Sequence, residues 1–142
     1  MGERPLSLLF VCVGNACRSQ MAEGFARHLG GRDIEAFSCG SSPAGFVARQ
    51  AIAVMREKGI DISRHFSKGL GEIPQKHFDY VVTMGCGDAC PVVAGKNRIE
   101  WRIADPIGRS DDFFRQVRDE IEVKVREWLE SIEKGRGNAP LP

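Results

Sequence analysis

The chain is short of the features that mark most specialised proteins. It has only three histidines and two tryptophans in 142 residues; the histidines lack partners at ligand spacing, and Trp101 and Trp128 lie on strand and helix patterns that mark core rather than substrate stackers. The formal net charge is only +1, and no global basic field points to nucleic acid or an anionic membrane. No internal repeat or low-complexity tract is present. The one long apolar stretch near the start, Leu6 to Val13, is interrupted by Ser7 and ends in Gly14-Asn15. It is too short to cross a bilayer and lacks a leader-type cleavage site. The expected location is therefore the cytoplasm. Five cysteines is an odd number, without the spacing of a secreted disulfide framework. In a reducing compartment, cysteines serve as core filler, metal ligands or chemistry.

What is present reads as one ordinary globular domain over residues 1–142, 42% apolar and 27% charged. Only the Gly135 to Pro142 tail reads as frayed. Leu6 to Val11 is a buried strand stopped by glycine. Met21, Phe25 and Leu29, with Ala22 and Ala26 beside them, make one face of a helix closed by Gly30-Gly31. Ile34 to Ser38 reads as a second strand, Phe46 to Lys58 as a second helix, and Tyr80 to Met84 and Ile99 to Ile103 as two further strands. The last helix is the clearest element. Ser110 caps it, Asp111 and Asp112 suit its positive end, Glu120 and Lys124 are spaced to pair, and Phe114, Val117, Ile121, Val125, Trp128 and Ile132 form its stripe. Strands alternating with helices predict an α/β three-layer sandwich. Its core is a parallel four-stranded sheet with helices on both faces, and its ligands sit beyond the strands' carboxyl ends.

The loop after the first strand, Cys12-Val13-Gly14-Asn15-Ala16-Cys17-Arg18-Ser19, runs from strand to helix. Gly14 and Asn15 tolerate positive φ, so successive amides can turn inward; the helix N-terminus and the Arg18 fork aim at the same spot. That makes a cradle for phosphate or a mimic. Its positive partial charges stabilise a thiolate on Cys12, to which Ser19 can hydrogen-bond. A bare cysteine-x5-arginine pattern is weak, but its placement with Gly-Asn inside and Ser after it argues against coincidence.

From Val11 through Gly24 the sequence resembles the active-site loop of the low-molecular-weight phosphotyrosine phosphatases. The Ser19-Gln20-Met21-Ala22-Glu23-Gly24 continuation is closer to their thioredoxin-coupled arsenate reductase relatives, and the likeness runs through Asp105-Pro106 to the last helix. The resemblance implies Cys12 as nucleophile, Arg18 as oxyanion binder and Asp105 as general acid. By itself Asp105 would read as a turn aspartate. Ile107-Gly108 stand where the family's phosphatases usually place aromatics, which favours a small inorganic anion.

Cys86 and Cys90 separate reductase from phosphatase, because a plain phosphatase needs one cysteine. Four apart on a helical turn, their Cα atoms fall within disulfide reach, at roughly 6 Å. By resemblance the chain would reduce arsenate through a Cys12 to Cys86 to Cys90 relay. It would bind no cofactor and take electrons from thioredoxin or another external dithiol. The alternatives are a phosphatase and an arsenite- or zinc-binding thiol protein, although no second cysteine pair or nearby histidine completes a tetrahedral set for zinc. Cys17 is expected to be auxiliary and Cys39 to be packed filler, and no histidine is given a role. Asn15, Glu23 and Ser38 match positions that hold potassium in some arsenate reductases. The remaining acidic ligand would align near Lys68, whose ammonium could stand where the ion sits; the alternative is a solvated loop lysine.

Overall fold

The computed structural model describes residues 5–74, 77–85 and 94–138. Four strands, β1 (Leu6–Cys12), β2 (Ile34–Gly40), β3 (His77–Thr83) and β4 (Ala94–Glu100), form one sheet. Its order is β2-β1-β3-β4 and all three pairings are parallel. The helices are α1 (Arg18–Gly30), α2 (Arg49–Arg56) and α3 (Asp111–Asn138). The α/β parallel-sheet architecture expected from the sequence is what the chain adopts.

β1 is paired on both sides, and its side chains alternate between two cores. Leu8, Phe10 and Cys12 face the larger cluster, with Met21 and Phe25 of α1, Val54 and Met55 of α2, and Phe114, Val117 and Ile121 of α3. Leu9 and Val11 face the smaller one, with Cys39, Ile73, Phe78 and Val81. Among the described residues, this second face is covered by a 3-10 turn at Leu70–Glu72 and the adjacent Ile73 rather than by a long helix. Both tryptophans join the main core: Trp128 meets Tyr80 and Trp101 edge-on at centroid distances of 5.3 and 5.6 Å.

Several boundaries differ from the sequence expectation, each for a visible reason. α2 starts at Arg49, not near Phe46, because the residues before it have other work. The N–H groups of Ser41, Ser42, Ala44 and Ala48 donate to the carbonyls of Cys12, Val13, Gly14 and Ala16. β4 lies earlier than Ile99 to Ile103. Trp101 still donates to Thr83 O, but Gly85, at φ 86°, turns the neighbouring chain away and the ladder stops. Trp101 and Ile103 keep their inward alternation without strand pairing. On α3, Ser110 Oγ accepts the Phe113 N–H as a cap should. Among the described residues of this helix the i,i+4 ion pair is Glu122 with Arg126 (2.8 Å), rather than Glu120 with Lys124. The helix also continues to Asn138, four residues into the stretch expected to fray. Among the described residues no helix is long and apolar enough to cross a membrane.

In the order β2-β1-β3-β4, the chain leaves β1 toward opposite sides, so the switch point lies beyond the carboxyl ends of β1 and β3. Parallel sheets open a crevice at such a point.

Candidate active site

β1 ends at Cys12, and the loop from there to Arg18 sits on the switch point. Its carbonyls are individually tied outward. Ser41 N, Ser42 N, Ala44 N and Ala48 N donate to the carbonyls of Cys12, Val13, Gly14 and Ala16, Met21 N to that of Cys17, and Gln20 Nε2 to that of Asn15. Ser67 Oγ adds a second bond to Gly14 O. No peptide here is cis, and in a trans peptide the next residue's N–H points opposite to the carbonyl. Pinning those six carbonyls outward therefore turns the N–H groups of Val13, Gly14, Asn15, Ala16, Cys17 and Arg18 inward. The first turn of α1 has no side-chain cap and no acidic residue, which leaves its N–H groups open to an anion.

Two backbone details make this packing possible. Among the described residues Asn15 is the one non-glycine with positive φ, at 50°, a conformation asparagine tolerates better than most. Gly40 ends β2 against the loop, where a Cβ would stand 2.6 Å from Val13 O and 3.0 Å from Asn15 N. Any side chain at 40 would push the cradle out of shape.

Cys12 is buried at the foot of the cradle, with its Sγ 2.9 Å from Ser19 Oγ. Asn15 Nδ2 donates to Ser19 Oγ (2.8 Å) and Ser38 Oγ (3.0 Å), and Asn15 Oδ1 accepts from Lys68 N and Gln20 Nε2. Arg18 is buried and clamped: its Nη1 donates to Met84 O (2.8 Å) and Ile103 O (3.1 Å). Its Nη2 faces Asp105 Oδ2 at 3.6 Å. A Cβ at Gly85 would collide with Arg18 Nη1, so the glycine leaves room for the guanidinium. Asp105 has a side chain 52% exposed. Its Oδ1 accepts the Ile107 N–H, so it shapes the turn and also faces the site.

Cys12, Arg18, Ser19, Asp105 and the loop residues between thus come together. Cys86 and Cys90 lie outside the described residues. Cys17 is buried, and burial first, then the charges of Asp105 and Cys12, push its thiol up to about 12 against the pull of Arg18. It stays protonated and fits the auxiliary role. Burial likewise raises Cys39 to about 12, and it packs in the smaller core. Among the described residues no group of three or more His, Cys, Asp and Glu is placed to hold a metal ion.

Behind the loop, Lys68 is far from the solvated reading. Its side chain is 12% exposed, and its Nζ lies 4.0 Å from Glu23 Oε1, 3.5 Å from Ser38 Oγ and 3.4 Å from Phe66 O. Ser38 Oγ donates to Glu23 Oε1 at 2.6 Å. Burial pulls the lysine below its ordinary value despite Glu23. Sequence reasoning missed Gln20 and His65. Gln20 is fully buried, a polar residue on a packed helical face two residues after the arginine, which was a usable signal. His65 gave none; it meets the site only through the fold, with Nδ1 2.9 Å from Gln20 Oε1.

The low molecular weight phosphotyrosine protein phosphatase family model matches residues 7–138. Arsenate reductase 2 of Staphylococcus saprophyticus is 40% identical over 129 residues, 88% of this chain and 97% of the relative. A solved arsenate reductase in the phosphate binding state superposes with a TM-score of 0.79 at 36% identity, covering 89% of this chain and 98% of that one. The thioredoxin-dependent arsenate reductase Cg_ArsC1' of Corynebacterium glutamicum gives 0.78 at 33% identity, covering 95% of this chain and 65% of that one.

Proposed function

The chain belongs to the low molecular weight phosphotyrosine protein phosphatase family, and from that premise we propose that it is an arsenate reductase working by a thiol–disulfide relay. The observation that carries the reading is the meeting of a buried Cys12 thiol, six inward amides and Arg18 with an exposed Asp105 at one strand end. The arsenate reductases among its relatives support the choice of substrate.

The steps follow from these groups. Arsenate lies in the cradle, its oxygens on the loop amides and the Arg18 fork. Cys12 Sγ attacks arsenic, and Asp105 gives a proton to the departing oxygen, which leaves as water. The Cys86 thiolate then attacks Cys12 Sγ. The sulfur–arsenic bond breaks, its electron pair stays on arsenic, and arsenite departs while a Cys12–Cys86 disulfide forms. Cys90 attacks Cys86, freeing Cys12 and leaving a Cys86–Cys90 disulfide. An external dithiol reduces that bond by exchange. The donor we favour is thioredoxin, because the Corynebacterium glutamicum relative is thioredoxin-dependent. The enzyme needs no bound cofactor in this scheme, and the free thiols it requires suit the cytoplasm.

The test is NADPH consumption with arsenate, thioredoxin and thioredoxin reductase, repeated with Cys86→Ser and Cys90→Ser. Turnover is expected to vanish in both variants while p-nitrophenyl phosphate hydrolysis, if present, survives. Turnover that persists in either would end the relay. Because phosphate fills the same cradle, phosphatase is the second reading; robust hydrolysis without arsenate-dependent NADPH oxidation would favour it.

A further inference from the structure

We propose that His65 is a positioning residue whose Nδ1–H, donated to Gln20, heads and holds in place a hydrogen-bond chain ending on the Cys12 sulfur.

The direction is fixed by groups that have no choice. The Lys68 backbone N–H can only donate, so the atom of Asn15 that meets it at 3.0 Å is the carbonyl oxygen. The Asn15 amide nitrogen must then face the hydroxyls of Ser19 and Ser38. Likewise the carbonyls of Phe66 and Asn15 can only accept, so the atom of Gln20 that meets them at 2.9 and 3.1 Å is its nitrogen. Gln20 Oε1 is left facing His65 Nδ1 at 2.9 Å, and the ring nitrogen must supply the hydrogen. Ser19 Oγ already accepts from Asn15, so its own hydrogen is free for Cys12 Sγ. All donors from His65 to Cys12 run one way, and the last one favours a negatively charged sulfur.

Burial pulls His65 below its ordinary value of 6.5; Glu23 and Asp61 oppose this, and Arg27 and Lys68 add to it. At neutral pH the ring therefore holds a single N–H, and the geometry requires it on Nδ1. A reversed tautomer would set two lone pairs against each other at Gln20 and loosen the side chain that bonds both Asn15 O and Asn15 Oδ1. Asn15 is the left-handed turn of the cradle, so loosening there reaches the anion amides as well as the thiol.

The inference holds for either oxyanion chemistry, so its test uses inorganic phosphate and not arsenate turnover. Long-range 1H–15N correlation spectra of histidine-labelled protein, with His65→Asn to assign the signals, are expected to show His65 protonated on Nδ1 and bare on Nε2. The reverse pattern would overturn the proposal. Two substitutions supply a second arm. His65→Asn keeps a donor near the Nδ1 position, and His65→Asp puts an acceptor there. We expect His65→Asn to stay within about twofold of the unsubstituted protein in phosphate affinity and in iodoacetamide alkylation of Cys12. We expect His65→Asp to lose about tenfold in affinity and to alkylate severalfold more slowly. Equal behaviour of the two variants would sink the idea. If His65→Asp does not fold, the tautomer of the unsubstituted protein still decides.

Discussion

The cradle and the rim facing it are built in opposite ways. From Cys12 to Cys17 every carbonyl is anchored from outside the loop or from α1, and the polar side chains behind it are buried and mutually bonded. Across the crevice, Asp105 is half in solvent, held by a turn of its own and by an ion-pair approach of 3.6 Å. In the proposed reaction the first region binds the oxyanion and the second supplies the proton. Binding an oxyanion rewards fixed dipoles that need no rearrangement. A proton donor, by contrast, must reach both a leaving oxygen and water.

The comparison is broken most sharply at the rim. Asp105→Asn keeps an oxygen to accept the Ile107 N–H and removes only the acid. Steady-state arsenate reduction is expected to lose about 10²–10⁴ in kcat, with phosphate affinity unchanged, as for removal of a general acid. An equal loss of affinity would show that Asp105 shapes the cradle. The complementary substitution is Asn15→Ala, which removes four hydrogen bonds and places a poor residue at φ 50°. Buried partners are left unsatisfied, so unfolding in urea is expected to report a loss of about 2–4 kcal/mol, with phosphate binding lost in parallel. Gly85→Ala sits between the two regions. Its Cβ would displace Arg18 from the carbonyls of Met84 and Ile103, and phosphate affinity should fall about tenfold.

The two regions were also unequally legible in the sequence. Cys12, Gly14, Asn15, Arg18 and Ser19 are contiguous, and their chemistry could be derived from strand, loop and helix as written. Apolar alternation in β1 and the stripe of α3 were equally plain. β4 was misplaced because Ile99, Trp101 and Ile103 alternate as a strand does; only the turn at Gly85 on the neighbouring chain ends the pairing. α2 was drawn too long because nothing local says that the amides of Ser41, Ser42, Ala44 and Ala48 are engaged with Cys12, Val13, Gly14 and Ala16. Lys68 was placed by analogy, and His65 was passed over, since its link to Gln20 spans 45 positions. Tertiary hydrogen bonds leave no periodicity to read.

Lys68 gives a smaller test of the same contrast. With its ammonium already among Glu23, Ser38 and Phe66 O, exchanging sodium for potassium buffer should change the reduction rate by less than about twofold. Strong activation by potassium would mean that the lysine does not do the ion's work.

The smallest expected effect concerns pH, and it belongs to the buried region alone. His65 is held below 6.5 chiefly by burial, with Arg27 and Lys68 opposed by Glu23 and Asp61. Below that pH the unfolded chain therefore binds more protons at this position than the folded one does. Stability contributed by the neutral ring is complete above 6.5, declines as pH falls below it, and levels off once the folded ring itself titrates. Urea midpoints measured from pH 6.5 downward should show this decline, and in His65→Asn the slope should be shallower by the same part. An identical slope in both proteins would mean that the folded ring titrates as freely as the unfolded one, and that the wall behind the cradle is wetter than its packing implies.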